Sequence, residues 1–313
     1  MRSGQLWRRT AAAGVLLVAT AGCGVGTAGQ GAEPRRPAQE SVSGSTAAPM
    51  PETVTRNAAA TADERKRVEQ FWKQGGIADI AEYDGTTSFK PAAWSKGGAM
   101  ARSVGRLYAK SADGNLGACT ATVVGRNTVV TAGHCVRTST EGEPAQKATW
   151  DQNLYFVPGY RDGKAPLGGF VVRRVHMAKE WQEDGSDIAM LEMNPASDGR
   201  SVSEVAGAQR VTFKPEQGVR IDEFGYPYTS RLLQCAGTGV QDPEVPAMLA
   251  IPCHMGVGSS GGPYVTDLDP STGGGTVVAV NVSGNDTTSY GTPLGELARL
   301  LHTRSETHAS AAG

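Results

Sequence analysis

From residue 104 onward the chain is a succession of short β-branched and aromatic runs broken by Gly, Asn and Pro, and no other feature limits its fold as strongly. Ten runs read as strands: VGRLY (104–108), ACTATVV (118–124), TVVTA (128–132), FVVRRV (170–175), DIAMLEM (187–193), VRIDEF (219–224), LLQC (232–235), MLAIPC (248–253), PYVT (263–266) and TVVAVNV (276–282). Gly125-Arg126-Asn127 reads as a hairpin turn between the second and third. Almost no helical periodicity lies between these runs, so a closed antiparallel all-β architecture is expected. One helix is expected at the end. In LGELARLLHTR (294–304), Leu294, Leu297, Leu300 and Leu301 recur at helical spacing after Pro293, and residues 305–313 read as a disordered tail.

The first hundred residues have a different character. AAAGVLLVATAG (11–22), behind Arg2, Arg8 and Arg9, reads as the apolar core of a signal peptide over residues 1–22. Its 12 residues are too few to span a bilayer. Secretion is therefore expected, and the oxidising compartment outside the cell lets Cys119, Cys135, Cys235 and Cys253 form two bridges. Cys23 is left over. TAGC (20–23) resembles a bacterial lipobox, with Thr20 where an aliphatic residue is usual. Two fates fit Cys23: lipidation, which would tether the protein to the outer face of the membrane, or an unlipidated cysteine that is removed or left unpaired. Residues 23–60, rich in Gly, Ala, Pro, Ser and Thr, read as a flexible linker. Residues 61–103 read as a pro-segment, with a short helix that carries Val68, Phe71 and Trp72 on one side and ends at Gly75-Gly76.

Thirty Lys and Arg against 31 Asp and Glu leave a net charge of −1. No basic excess is present to neutralise phosphates, so a nucleic-acid partner is not expected. The five histidines show no paired metal-ligand spacing and the cysteines lie too far apart for a zinc knuckle, so neither metal nor cofactor is expected.

Three segments carry chemistry. GSSGGP (258–263) puts Ser260 in a glycine-dense loop ahead of a strand, where the N–H groups of Gly258 and Ser260 can turn toward one point. A hydroxyl beside two converging N–H groups is what acyl transfer needs: a nucleophile and an oxyanion hole. TAGHC (131–135) places His134 at the end of an apolar strand, and a bridge from Cys135 to Cys119 would staple that strand end. A second bridge, Cys235 to Cys253, would hold the chain just ahead of the serine loop. SDIAML (186–191) puts Asp187 at the mouth of an apolar strand, as a turn cap or as a buried carboxylate with a specific partner.

Together these segments resemble the trypsin-like, chymotrypsin-fold serine peptidases, over roughly residues 100–304. The resemblance rests on TAGHC, DIAML and GSSGGP in that order, with Cys119 sixteen positions before Cys135 as in the family's histidine-loop disulfide. GYP (225–227) and the short span from Asp187 to Ser260 are similar to the bacterial branch that includes glutamyl endopeptidases. The resemblance implies two antiparallel six-stranded β-barrels with a C-terminal helix, a protease domain over 104–304, and a domain join near Pro195–Gly207. It implies a monomeric endopeptidase that acts on peptide or protein substrates with Ser260 as nucleophile, His134 as base and Asp187 as its orienting carboxylate, and with Gly258 and Ser260 as oxyanion hole.

The chain also departs from the family. Ser259 precedes the nucleophile where animal members carry an Asp, so activation by an ion pair to a new N-terminal amine is excluded, and removal or displacement of the segment 24–103, with a cut after Arg102 as one route, stands as the alternative. His254 falls at the position expected for the base of the substrate pocket, as a substrate contact or a loop histidine without one. Asn281 lies near the position where glutamyl endopeptidases carry a substrate-binding His, and Ser283-Gly284 looks like the segment that pairs with substrate backbone. Two rival readings remain. GSSGG also satisfies the G-x-S-x-G elbow of α/β-hydrolase esterases, but only His302 and His308 follow it and no βα alternation is present. A catalytically silent binding protein on a protease scaffold would carry the same residues.

Overall fold

The computed structural model describes residues 50–76, 91–138, 147–181 and 186–310. The signal peptide, Cys23 and the linker up to residue 49 lie outside the described residues.

Two large, mainly antiparallel sheets carry the fold, with a two-stranded ribbon of Arg137–Thr138 and Thr149–Trp150 beside them. In the first, Phe170–Ala178, Ala189–Met193, Thr128–Thr131, Leu116–Val123, Val104–Lys110 and Gln152–Pro158 pair in that order. The last returns to the first through Tyr155↔Val171 and Phe156↔Phe170, which closes a six-stranded barrel. Closure leaves both faces of these strands covered. Consecutive residues such as Val129 and Val130 are therefore both fully buried, which is why the runs read as continuous rather than alternating. The second sheet contains Leu249–Ile251, Ser289–Pro293, Gly274–Gly284, Pro263–Asp269, Arg220–Gly225 and Leu233–Thr238 in that order. Its ladder does not return on itself. The disulfide Cys235–Cys253 spans the gap instead. Pro252 has no N–H to extend the ladder there, and its ring presses so closely on Gly237 that a Cβ on Gly237 would stand 2.5 Å from Pro252 Cδ.

Two barrel strands escaped the sequence reading. Gln152–Pro158 is framed by polar residues and a proline, and SYGTP of Ser289–Pro293 reads as a turn. Gly291 is required in that second strand, because a Cβ would lie 2.8 Å from the Tyr264 ring.

The segment read as linker and pro-segment belongs to the same fold where it is described. Thr53–Asn57 is a strand, not a linker, and pairs with Arg174–Ala178 along the edge that the barrel-closing strand leaves open. Its composition gave no strand signal because the pairing partner lies more than a hundred residues away. The helix Ala62–Phe71 starts at a capping box made by Thr61 and Glu64. It buries Val68, and the following turn buries Trp72 against Tyr108, with the indole N–H donating to Asn153 O at 2.5 Å. Residue 104 is therefore no packing boundary. The helix Gly98–Ser103 runs directly into the first barrel strand; Ser103 and Val104 are fully buried, and Arg102 donates to Val205 O at 2.6 Å. A cut after Arg102 would require this helix to unwind.

The C-terminal helix Glu296–Ser310 is longer than expected; it buries Leu297 and Leu301 against the first barrel, as does Leu294 just ahead of it. Residues 305–310 are helical rather than a disordered tail. Ser305 is buried on Thr128 Oγ1 at 2.8 Å, and the Glu306 carboxylate accepts from the N–H of Arg126 at 3.1 Å. The hairpin turn thus fixes the helix end.

Candidate active site

His134 lies in a single helical turn, Gly133–Cys135, that ends strand Thr128–Thr131. Asp187 lies two residues before strand Ala189–Met193, which pairs with that same strand. The register brings them together. Asp187 Oδ1 accepts from the backbone N–H of His134 at 2.9 Å, and Oδ2 stands 2.8 Å from His134 Nδ1. Asp187 is 1% exposed, whereas the His134 side chain is 29% exposed, so the carboxylate is buried and the imidazole reaches the surface. The neighbouring glycine makes this possible: a Cβ on Gly133 would sit 2.9 Å from Asp187 Oδ1. The Trp181 ring lies 6.2 Å from the imidazole, a neighbour with no local signal of its own.

The Ser260 loop belongs to the second sheet but is fastened to the first barrel by Thr120. The N–H of Thr120 donates to Ser260 O at 2.8 Å. Its hydroxyl donates to Gly258 O at 3.0 Å and accepts from the N–H of Tyr226 at 2.9 Å. Gly261 (φ +80°) presses into the same place, where a Cβ would fall 2.1 Å from Thr131 Oγ1 and 2.2 Å from Thr120 O. Cys119, beside Thr120, is bonded to Cys135, beside His134. The serine loop is therefore clamped at the stapled strand ends from which His134 projects. Gly258 also has a positive φ, +95°, and among the described residues the N–H groups of Gly258 and Ser260 have no hydrogen-bond partner.

Beside Ser260 is a cavity of about 220 Å³. His254, Ser283 and Gly284 all line it, together with Ser259, Asn281 and Ser289. His254 Nδ1 is 3.7 Å from Asp286 Oδ1. Behind the wall, Asn281 Nδ2 donates to Glu223 Oε1 at 2.9 Å. Burial pushes the Glu223 carboxyl up to about 8, only partly offset by the polar groups of Ser289 and Asn281 beside it. Glu223, Ser289 and Thr120 were missed by sequence reading; single Glu, Ser and Thr residues inside strand-like runs carry no signal of their own.

Cys119, His134 and Cys135 are the one group of potential metal ligands that comes together among the described residues. Two of its three ligand atoms are sulfurs spent in a disulfide, so a single imidazole remains.

The family model described as Trypsin matches residues 97–296. Among solved structures, the thermostable serine protease AL20 from an extremophilic microorganism is 25% identical, with a TM-score of 0.60 over 67% of this chain and 99% of that one. The protease Anisep from Arthrobacter nicotinovorans is 29% identical, with a TM-score of 0.57 over 70% of this chain and 98% of its own. A Glu endopeptidase shares the fold at 15% identity, with a TM-score of 0.55 over 72% of this chain and 99% of its own. No curated protein sequence matched.

Proposed function

The chain belongs to the trypsin family of serine endopeptidases, and on that premise we propose that it hydrolyses peptide bonds with Ser260 as nucleophile, His134 as general base and acid, and Asp187 as the group that holds the imidazole. The observation that carries the assignment is the two-point grip of buried Asp187 on His134, through the backbone N–H and Nδ1, at the edge where Thr120 fastens the Ser260 loop.

The steps follow from that arrangement. With Nδ1–H directed at Asp187, His134 presents an unprotonated Nε2. Nε2 takes the proton of Ser260 Oγ as Oγ bonds to the scissile carbonyl carbon. The resulting oxyanion accepts hydrogen bonds from the N–H groups of Gly258 and Ser260, each donor of this kind contributing roughly 10²–10³ in rate. The imidazolium, stabilised by Asp187, returns the proton to the amine as the C–N bond breaks and leaves an acyl-enzyme. Water, deprotonated by the same Nε2, then attacks the acyl carbon, and the proton returns to Oγ as Ser260 is released. His254, Ser283 and Gly284 belong to the substrate-binding side of this site, as lining of the cavity beside Ser260.

The enzyme acts outside the cell as a monomer, exported by residues 1–22, with Cys23 either lipidated as a tether or unlipidated, and then removed or left unpaired. The two disulfides support this location, because they persist where thiols are not kept reduced. The mainly antiparallel fold, with its C-terminal helix and no βαβ units among the described residues, gives the esterase reading no support. The test is cleavage of unfolded casein by the wild type, Ser260→Ala and Asp187→Asn. Cleavage abolished by the first change and reduced about 10⁴-fold by the second supports the assignment. A folded wild type that never cleaves would favour a silent binding protein.

A further inference from the structure

Glu223 is a buried acid that the acyl-transfer steps leave unused. It lies on strand Arg220–Gly225, is fully buried, and faces Tyr264 across the ladder. Its Oε1 accepts from Asn281, but its Oε2 has no hydrogen-bond partner, and neither has the Tyr264 hydroxyl. Leaving such groups unpaired costs about 1–3 kcal/mol each, and native folds carry few of them. Asn281 and Ser289, which stand in front of Glu223, both line the cavity beside Ser260. Because the carboxylate takes the amide N–H of Asn281, the amide oxygen is turned the other way, 3.5 Å from Ser259 Oγ on the cavity side. The acid therefore sets which end of Asn281 the cavity sees. Of the other ionisable groups nearby, His254 also lines the cavity, with Nδ1 3.7 Å from the exposed Asp286 carboxylate and without a hydrogen-bond partner among the described residues.

We propose that Glu223 is a specificity-determining residue which, acting through Asn281 and Ser289, makes this cavity accept side chains that donate hydrogen bonds, with Lys and Arg foremost and Gln behind them, and reject carboxylates at the residue before the scissile bond. The inference rests on the peptidase reading of Ser260. A carboxylate in the cavity would meet the Asn281 amide oxygen, an acceptor, and would further oppose ionisation of Glu223 one side chain away, whereas a cation would pair with that oxygen and favour the ionised form of Glu223. The volume of about 220 Å³ leaves room for an extended side chain of the accepted kind.

The experiment compares peptides that differ only in the residue before the cut (Lys, Arg, Gln, Glu or Asp), with kcat/KM expressed per Ser260 labelled by a fluorophosphonate probe. Wild-type enzyme is expected to prefer Lys and Arg over Glu and Asp by at least about 100-fold, with Gln between. In Glu223→Gln, whose amide offers Asn281 either end, the ratio is expected to narrow about tenfold or more. Asn281→Ala, which removes the intermediary, must narrow it too. A role confined to stability would lower all five substrates together and leave the ratio untouched. Glu or Asp cleaved as well as Lys in the wild type, or a ratio unchanged in both variants, would overturn the proposal with labelling intact, and the wild-type ranking decides even where a variant does not fold. Absence of labelling in folded protein would instead overturn the peptidase reading and this inference with it.

Discussion

Thr120→Val removes one hydroxyl from a fully buried position while nearly preserving shape. That hydroxyl donates to Gly258 O at 3.0 Å and accepts from Tyr226 N–H at 2.9 Å, so the variant leaves a carbonyl and an amide unpaired inside the protein. Each such loss costs about 1–3 kcal/mol, which gives roughly 2–6 kcal/mol together. That is a large part of the 5–15 kcal/mol or so that stabilises a typical domain. Thr120→Ser keeps both hydrogen bonds and loses one methyl, at about 1 kcal/mol. Urea titration followed by tryptophan fluorescence measures all three proteins, with the disulfides intact. Gly258 is also a proposed oxyanion-hole residue, so the valine variant should react with a fluorophosphonate at least about tenfold more slowly under conditions where it is fully folded. A valine variant within 1 kcal/mol of wild type, or equal to the serine variant, would refute the view that Thr120 fastens the serine loop to the first barrel.

Three further outcomes are expected. Gly133→Ala, whose Cβ would stand 2.9 Å from Asp187 Oδ1 and 3.0 Å from Met177 Cε, should lower kcat/KM about 10- to 100-fold with the circular dichroism spectrum unchanged, since it displaces the carboxylate that holds His134. Trp72→Ala should cost about 3–5 kcal/mol of stability in a denaturant titration, because this indole is 2% exposed and bonded to Asn153; a loss below about 1 kcal/mol would mean that the segment before residue 77 is not structural. Burial raises the Glu223 carboxyl from 4.5 to about 8, so between those values the folded state binds a proton that the unfolded state does not. Its contribution is full below about pH 4.5 and is lost as pH rises through 8. Relative to wild type, Glu223→Gln should gain roughly 3–5 kcal/mol between pH 4 and pH 9, read as a narrowing or reversal of the difference in Tm.

Much of the first barrel could be read directly, because strands covered on both faces become continuous runs such as the β-branched TVVT and the largely apolar AMLEM. The same local reading failed wherever the reason for structure lay elsewhere in the chain. TVTRN is a strand only because Phe170–Ala178 leaves an edge for it, and SYGTP only because Gly274–Gly284 and Leu249–Ile251 pair with it on either side. Ser305 and Glu306 are ordered by a hairpin about 180 residues away. At the candidate site, His134, Asp187 and Ser260 stood out because each sits in an unusual local setting: a histidine beside a cysteine, an acid at a strand mouth, a serine among glycines. Thr120, Trp181 and Glu223 have ordinary neighbours in sequence, and only the packing gives them a place. His254 was ambiguous for the opposite reason, since its sequence position suggested a pocket that only the cavity could place beside it.

The central claim is that Ser260 is activated by His134 and Asp187. The most direct measurement is labelling of the folded, disulfide-intact protein with a fluorophosphonate, with the modified residue located by peptide mass spectrometry. The account expects a single label on Ser260, absent in Ser260→Ala and strongly slowed in His134→Ala. A label on another serine, or no label on folded protein, would contradict it.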